Sequence, residues 1–343
     1  MKAINTIIGA YQRHSFDDVN AFSMVKRDTA MPTGHDLLVR IAAVSVNPVD
    51  VGVYAGIRRP RATPKILGWD AVGTVVAVGE QVSLFNVGQR VFYAGDFRRD
   101  GSDQTFQLVD ERIVGHAPEE FTDEELAGLP LTSLTAYEAL FEQMHLSIAD
   151  IEHNRQKTLL IINGAGGVGS IATQLANHAG LRVIATASNP QSIAWAKQHG
   201  AGLIVNHHQD LVEQVHALGV KNVDYILGLS RLDEHFNEMA TLIRPGGTIV
   251  SITENRHPID LKKLTKKRAT FAWEWMYSKS YYQTDDMITQ HAILDQIGQL
   301  LQAKVIVPTT TKVFNGLNPE SLRQAFKLVA GGHMIGKVVI KAE

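Results

Sequence analysis

The chain has 343 residues, 45% hydrophobic, 20% charged and 7% aromatic, with a formal net charge of −2 from 33 basic and 35 acidic side chains. At roughly 100–200 residues per domain this length predicts two domains; the composition excludes disorder, collagen and coiled coil, and the near-neutral charge leaves no footprint for nucleic acid. No cysteine is present, which excludes disulfides, thiolate chemistry and every cysteine-ligated zinc, haem or iron–sulfur site.

The stretch Met1–Gly9 turns polar too soon for the apolar core of a signal peptide. No apolar run approaches the ~18 residues of a membrane span. The expectation is a soluble, cytoplasmic protein with no membrane or nucleic-acid partner.

Up to residue 115, short valine-rich runs are punctuated by glycine: Leu37–Val46, Ala71–Val78 and Arg90–Tyr93. Apolar residues in Leu38–Val44 fall close to every second position, as in a half-buried strand. Gly73, Gly79 and Gly88 lie where turns or bulges are needed. This part reads as an all-β domain, a partly open barrel.

From residue 157 strands alternate with helices. Apolar runs begin near Leu159, Val183, Leu203, Tyr225 and Thr248, about 20–24 residues apart, the length of one strand plus one crossover helix. That repeat predicts a parallel sheet. Leu159–Ile162 is continuously apolar, as a strand covered on both faces should be. Val168, Ile171, Ala172, Leu175, Ala176 and Ala179 mark one face of a helix, with Gly180 at its C-terminal cap. Asn189-Pro190 reads as an N-cap followed by proline in the first helical turn. Pro245-Gly246-Gly247 turns the chain into a strand at Thr248, and another strand is expected over Ala269–Trp275. The last stretch predicts helices around Ile293–Leu301 and Ser321–Val329, then a strand at Lys337–Ile340.

Between the first of these strands and its helix lies Asn163-Gly164-Ala165-Gly166-Gly167-Val168-Gly169, which fits G-x-G-x-x-G through Gly164, Gly166 and Gly169. Gly164 permits a tight turn, Gly166 lets the backbone approach a pyrophosphate, and Gly169 lets the helix pack close to the strand. Free N–H groups of Gly167, Val168 and their neighbours then face the phosphates. A plain strand-to-helix turn is the alternative. NAD sites usually carry Asp or Glu at the end of the second strand, about 20 residues on. Here that strand ends in Ser188-Asn189, with no carboxylate to repel a 2′-phosphate. This favours NADPH and lowers the odds of FAD or S-adenosylmethionine, although Ser188 is also a plausible helix cap.

The order of parts resembles the medium-chain dehydrogenase/reductase superfamily, over essentially the whole chain. The markers are Ser45–Asp50, Ile66–Gly73, Leu129–Tyr137, the Gly164 loop and Ile335–Val339. Together they are most similar to the zinc-free quinone oxidoreductase branch, and within it to proteins labelled zinc-type alcohol dehydrogenase-like. The resemblance implies an α/β plus β fold: a doubly wound Rossmann sheet over 129–280 and a GroES-like β-rich catalytic domain over 1–128 with a return segment 281–343.

In zinc alcohol dehydrogenases the catalytic metal is held by two cysteines and a histidine. Motif alignment puts those positions at Asn47, Trp69 and Leu131, none an ordinary zinc ligand. The region corresponding to the structural-zinc lobe, Ala94–Ser102, is short and lacks cysteine. No metal ligand is therefore assigned. Without a metal to lower an alcohol's pKa, alcohol oxidation is hard, whereas reduction of an electrophilic acceptor is not. The resemblance thus implies hydride delivery from NADPH to a quinone or an α,β-unsaturated carbonyl, in a dry cleft.

Asn47 is the candidate polar group beside the nicotinamide or the acceptor oxygen; a turn residue before Pro48 is the alternative. Tyr54 and Tyr93 are candidates to steer protonation, or else packing tyrosines. The resemblance puts Thr135 near the nicotinamide or diphosphate, with a helix cap as the alternative, and Lys337 among the cofactor-binding residues. Trp69 would fill the space left by the metal, and Asp70 reads as an internal hydrogen-bond partner. Ile252 and Thr253 end the fifth strand, on the edge where this fold places its ligand.

His207 and His208 are neighbours at a strand end, where side chains point to opposite faces, so they make a poor chelating pair. Lys262–Arg268 carries five positive charges and reads as a solvated connection; Arg58-Arg59-Pro60-Arg61 is a basic loop that the resemblance puts near the cleft mouth. Ala269–Trp275 is expected to be the edge strand, and because edge pairing is the usual dimer contact in relatives, the resemblance implies a homodimer. Two rivals to the NADPH-dependent quinone or enone reductase remain: a zinc-dependent alcohol dehydrogenase with unusual ligands, and a non-catalytic NADPH-binding sensor or structural protein.

Overall fold

A computed structural model describes residues 3–343; Met1 and Lys2 of the N-terminal stretch lie outside the described residues. The chain divides into two compact units, Met1–Leu131 with Tyr277–Glu343, and Thr132–Met276. The divisions fall a few residues inside the expected 129–280 span. Leu131 belongs to the first unit because its amide N–H is held by Asp70 Oδ1 at 2.7 Å. Tyr277 belongs there because its ring meets Trp69 edge-on, centroids 6.2 Å apart.

The first unit holds two sheets. Ser23–Asp28, Ile4–Ala10 and Lys65–Ile66 form a small antiparallel one. The larger has seven strands, and Asp36–Val46 is its axis. One edge of that strand pairs with Ala71–Val78; the other is shared by Phe106–Asp110 and the C-terminal strand Lys337–Lys341. Pairing along its whole length, with register shifts at Leu38/Val39 and Ile41/Ala43, explains why it is buried almost throughout rather than in strict alternation. The unit is not all-β, as the sequence reading had it. Helix Pro48–Ala55 follows the axial strand directly, started by proline in its first turn and by Asp50, whose carboxylate takes the Asn47 N–H at 2.6 Å. Two longer helices, Thr289–Gln302 and Pro319–Ala330, lie in the return segment.

The second unit is built on six parallel strands in the order Leu203–Val205, Arg182–Thr186, Thr158–Ile162, Val223–Gly228, Ile243–Ser251, Thr270–Trp273. Numbered along the chain this is 3-2-1-4-5-6, the doubly wound Rossmann order, which reverses at Thr158–Ile162. Leu160, Ile162, Ile226 and Ile249 from adjacent strands meet Phe236 and Leu242 in one apolar core. Helix Gly167–His178 ends with Gly180 at φ +93°, and helix Pro190–Gln198 starts at Asn189, whose side chain accepts the Ser192 N–H. Pairing in the fifth strand jumps from Ile243 to Thr248, the bulge carrying Gly246 at φ +70°. No helix among the described residues is long and apolar enough to cross a membrane.

Candidate functional site

In the second unit the glycine loop joins strand Thr158–Ile162 to helix Gly167–His178, at the point where the strand order reverses. Its tight turn is made by Asn163, at φ +70°, and not by Gly164 as expected. Gly164 is required for a different reason: a Cβ there would sit 2.6 Å from the Cβ of Ala185 on the neighbouring strand. A Cβ on Gly169 would lie 2.3 Å from the carbonyl oxygen of Asn163, so the loop can fold back on the helix only with glycine there. The Gly166 cap offers no side-chain acceptor to the first turn, and Gly166, Gly167 and Val168 are partly exposed. Uncapped N–H groups at the start of a 12-residue helix form a cradle for a phosphate.

The rim of this sheet supplies further groups. Ser188 is half-buried and Asn189 exposed; the cap of the next helix is Asn189, which leaves Ser188 out of the capping role. Thr186 Oγ1 accepts the Asn163 N–H at 2.8 Å and lies 3.2 Å from His207 Nδ1. Burial, with the positive field of His208, His235 and Arg231, pushes His207 down to about 4, so it is neutral at physiological pH. His207 and His208 lie beyond strand Leu203–Val205, in a turn, with ring centroids 4.4 Å apart; the strand alternation invoked for them does not apply. Past the fifth strand, the Ile252 N–H bonds to Gly228 O, and Thr253 Oγ1 is buried with no protein partner. An orphaned hydroxyl at the carboxyl edge of a doubly wound sheet fits a group awaiting a ligand. Thr135 is inside helix Pro130–Tyr137 and buried, so it is not a cap.

The first unit contains a buried charged constellation. Asn47 Nδ2 donates to Asp70 Oδ2 at 2.8 Å, and Lys337 Nζ donates to the same oxygen at 3.0 Å and to Asn47 Oδ1. Asp70 Oδ1 takes the Leu131 N–H, while Asp50 takes the N–H groups of Asn47 and Gly68. All four side chains are under 5% exposed. Burial pushes Asp50 up to about 7 against its two backbone donors; burial also raises Asp70, opposed chiefly by the Lys337 charge. Lys337 is thus committed to an internal ion pair, which corrects its expected place on the cofactor. Asn47 begins the helix after Val46, as the turn reading held, and both ends of its amide are engaged inside the protein.

The two tyrosines fall to packing. Tyr54 lies among Phe16, Phe22 and Phe326, with centroids 5.0–6.0 Å away, and its hydroxyl bonds to the His14 backbone. Tyr93 donates to Gln107 Oε1 at 2.9 Å, and complete burial raises its hydroxyl far above the usual range, the reverse of what a proton donor needs. The charge run is partly structural: Lys267 Nζ donates to the carbonyls of Ala240, Thr241 and Ile243 at the end of helix Leu232–Leu242. The Arg58–Arg61 loop borders a pocket of about 390 Å³.

A family model described as alcohol dehydrogenase GroES-like domain matches residues 33–128, and one described as zinc-binding dehydrogenase matches residues 167–290. The chain is 42% identical over 336 residues to a zinc-type alcohol dehydrogenase-like protein of Staphylococcus aureus (strain MSSA476), covering 97% of this chain and 99% of the relative. A crystal structure of a zinc-dependent alcohol dehydrogenase candidate from Rhizobium etli CFN 42 is similar with a TM-score of 0.92 and 36% identity, covering 99% of each chain. Escherichia coli quinone oxidoreductase complexed with NADPH shares the fold at a TM-score of 0.81 and 21% identity, over 98% of this chain and 99% of that one.

Zinc does not fit the positions at which the sequence alignment would put its ligands. The Trp69 indole N–H can only donate, and Leu131 contributes only an N–H already given to Asp70. The one oxygen in the set, Asn47 Oδ1, holds the Lys337 ammonium. A nicotinamide cofactor does fit the second unit, through the uncapped helix start, the close glycine contacts and the unpartnered Thr253 hydroxyl.

Proposed function

The chain belongs to the medium-chain dehydrogenase/reductase superfamily of oxidoreductases, and from that membership we propose that it is an NADPH-dependent, zinc-independent reductase of quinones or α,β-unsaturated carbonyls. The observation that carries this reading is the Lys337 ammonium bonded to Asp70 and to Asn47, the residue that stands where one of the family's catalytic zinc ligands would align. A fixed ammonium that already donates to two internal oxygens does not act as a Lewis acid on an alcohol. Acceptors that are electrophilic by themselves need no such activation.

When bound, NADPH supplies a hydride from its nicotinamide ring, and the reduced acceptor takes up a proton. The start of helix Gly167–His178 offers N–H groups to the cofactor's pyrophosphate. Ser188 and Asn189 offer hydrogen-bond donors to a 2′-phosphate and no carboxylate that would repel it. Thr253, with Ile252, lies at the carboxyl edge of the sheet, where its unpartnered hydroxyl can take a cofactor polar group. Thr135 acts as a buried positioning residue for the cofactor. Asn47 is held rigid by Asp70 and Lys337, and so serves as a positioning residue for the acceptor side.

The assembly is a homodimer through strand Thr270–Trp273. That strand is the end of its sheet, and its last residue, Trp273, is 46% exposed. A monomer by light scattering at micromolar concentration overturns this assignment. The protein works in the cytoplasm on small molecules, without nucleic-acid or membrane partners.

The reaction is tested with chelator-dialysed protein, following NADPH oxidation with a naphthoquinone and a short enone as parallel acceptors. Turnover of either acceptor supports the reading, and their ratio ranks the two substrate classes. NADPH binding by fluorescence without turnover of either would replace it with a non-catalytic binding protein.

A further inference from the structure

Strand Val114–His116 and helix Thr289–Gln302, both in the first unit, bring together His116, His291 and Asp295. One ligand atom from each of the three lies within 4.8 Å of the others. His291 and Asp295 are one helical turn apart, and the chain returns more than 170 positions later to set them against His116. Neither the glycine loop nor the Lys337 constellation includes any of them.

The three groups are held by contacts that leave donor atoms turned toward one another. His291 Nδ1 donates to Val114 O at 2.6 Å, which puts the ring proton there and leaves the Nε2 lone pair free, 3.6 Å from Asp295 Oδ2. Asp295 Oδ1 is anchored by the His116 backbone N–H at 2.8 Å, while Oδ2 lies 3.1 Å from His116 Nδ1. The Phe85 ring packs on both imidazoles, with centroids 4.5 and 5.5 Å away, and fixes their planes. A tetrahedral ion with bonds of about 2.0–2.1 Å has ligand atoms about 3.3–3.4 Å apart. The two edges that meet at Asp295 Oδ2, 3.1 and 3.6 Å, bracket that spacing. The His116 side chain is 42% exposed, so a fourth position opens to solvent.

We propose that His116 Nδ1, His291 Nε2 and Asp295 Oδ2 form a binding site for one zinc ion or a similar divalent transition metal. Two imidazoles and one carboxylate suit zinc and its first-row neighbours rather than magnesium or calcium, which require more oxygen ligands. The metal takes the place of the proton that His116 Nδ1 shares with Asp295, and that proton moves to Nε2 of the same ring. Bound there, the ion ties the return segment to the strand Val114–His116. Its role is structural, because none of its ligands touches the groups assigned to hydride transfer.

The test is equilibrium dialysis of the full chain, first stripped with chelator, against micromolar zinc chloride, with metal counted per chain and thermal unfolding followed in parallel. About one zinc per chain is expected, together with a rise in Tm, and no retention of magnesium in a matched dialysis. His116→Gln and His291→Gln are each expected to weaken zinc binding by at least ~10–100-fold and to abolish the zinc-dependent rise in Tm. Asp295→Asn also disturbs the His116 backbone contact, so His116→Gln, which alters a half-buried ring and leaves that backbone contact in place, is the decisive variant. Circular dichroism without metal confirms that each variant is folded. No zinc retained by the unaltered chain, or equal retention by folded His116→Gln, overturns the site and leaves a hydrogen-bonded His–Asp–His cluster.

Discussion

Lys337 Nζ lies 3.0 Å from Asp70 Oδ2, in an ion pair whose side chains are 4% and 0% exposed. The pair ties the C-terminal strand to the residue just before strand Ala71–Val78. A buried ion pair brings little net stability by itself, but breaking it from one side strands a charge. Asp70 has three donors and Asn47 is one of them, so the arrangement holds Asn47 in a single pose.

Lys337→Met is therefore expected to lower unfolding free energy by about 3–5 kcal/mol, because it leaves Asp70 buried without its cation. Adding Asp70→Asn to that variant should recover most of the loss. Urea unfolding of the two single variants and the double variant measures the coupling; additive losses would mean the pair does not act as a unit.

Gly169→Ala places a methyl group 2.3 Å from the Asn163 carbonyl oxygen and 2.8 Å from Gly164. Both contacts are with the loop backbone, which must move to relieve them. We expect a loss of about 1–3 kcal/mol in stability and NADPH binding weakened at least ~10-fold, the latter read by fluorescence titration. Unchanged affinity would place the pyrophosphate elsewhere.

Ser188→Asp puts a carboxylate at the end of the second strand without touching the Asn189 helix cap. The ratio of kcat/KM for NADPH over NADH should fall by at least ~10-fold, about 1.4 kcal/mol of discrimination. A ratio unmoved by the new charge would remove Ser188 from the 2′-phosphate site.

Stability should also fall with rising pH through Glu274. Burial, with the charge and hydrogen bond of Glu138, pushes this carboxyl up to about 9 from its ordinary 4.5. The folded chain then holds a proton that the unfolded chain releases, so the contribution is full below pH 4.5 and is lost on the way to about 9. Glu274→Gln cannot ionise, and at pH 8 it should exceed the unaltered protein in stability by more than ~1 kcal/mol. Parallel pH profiles of Tm for the two chains would refute this.

The second unit was legible in the sequence because its signals are local. A buried strand, a glycine loop and an amphipathic helix follow one another within some twenty residues, and Asn189 and Gly180 mark their helix ends where propensity puts them. The first unit was harder to read, because its central contacts are far apart in the chain. Asn47, Asp70 and Lys337 each stand in a recognisable motif, yet nothing local says that Lys337 turns inward to the other two. Helix Pro48–Ala55 was missed although Asn47-Pro48 and Asp50 carry an N-terminal capping pattern, because the valine-rich runs on either side give the whole stretch an all-β reading with Asn47 as a turn. Tyr54 and Tyr93 show the limit of residue type as a guide: a phenol is as useful to a core as to a proton relay, and only burial and partners decide. His116, His291 and Asp295 had no sequence signature beyond the i, i+4 spacing of two of them.

The central claim is that hydride transfer here needs no metal. The most direct measurement is the initial rate of NADPH-dependent naphthoquinone reduction as a function of zinc bound per chain, from chelator-stripped to saturated protein. The account predicts a rate that stays constant across the series, zinc changing only thermal stability through the His116 site. A rate that rises in proportion to bound zinc, and vanishes in the stripped protein, would contradict it.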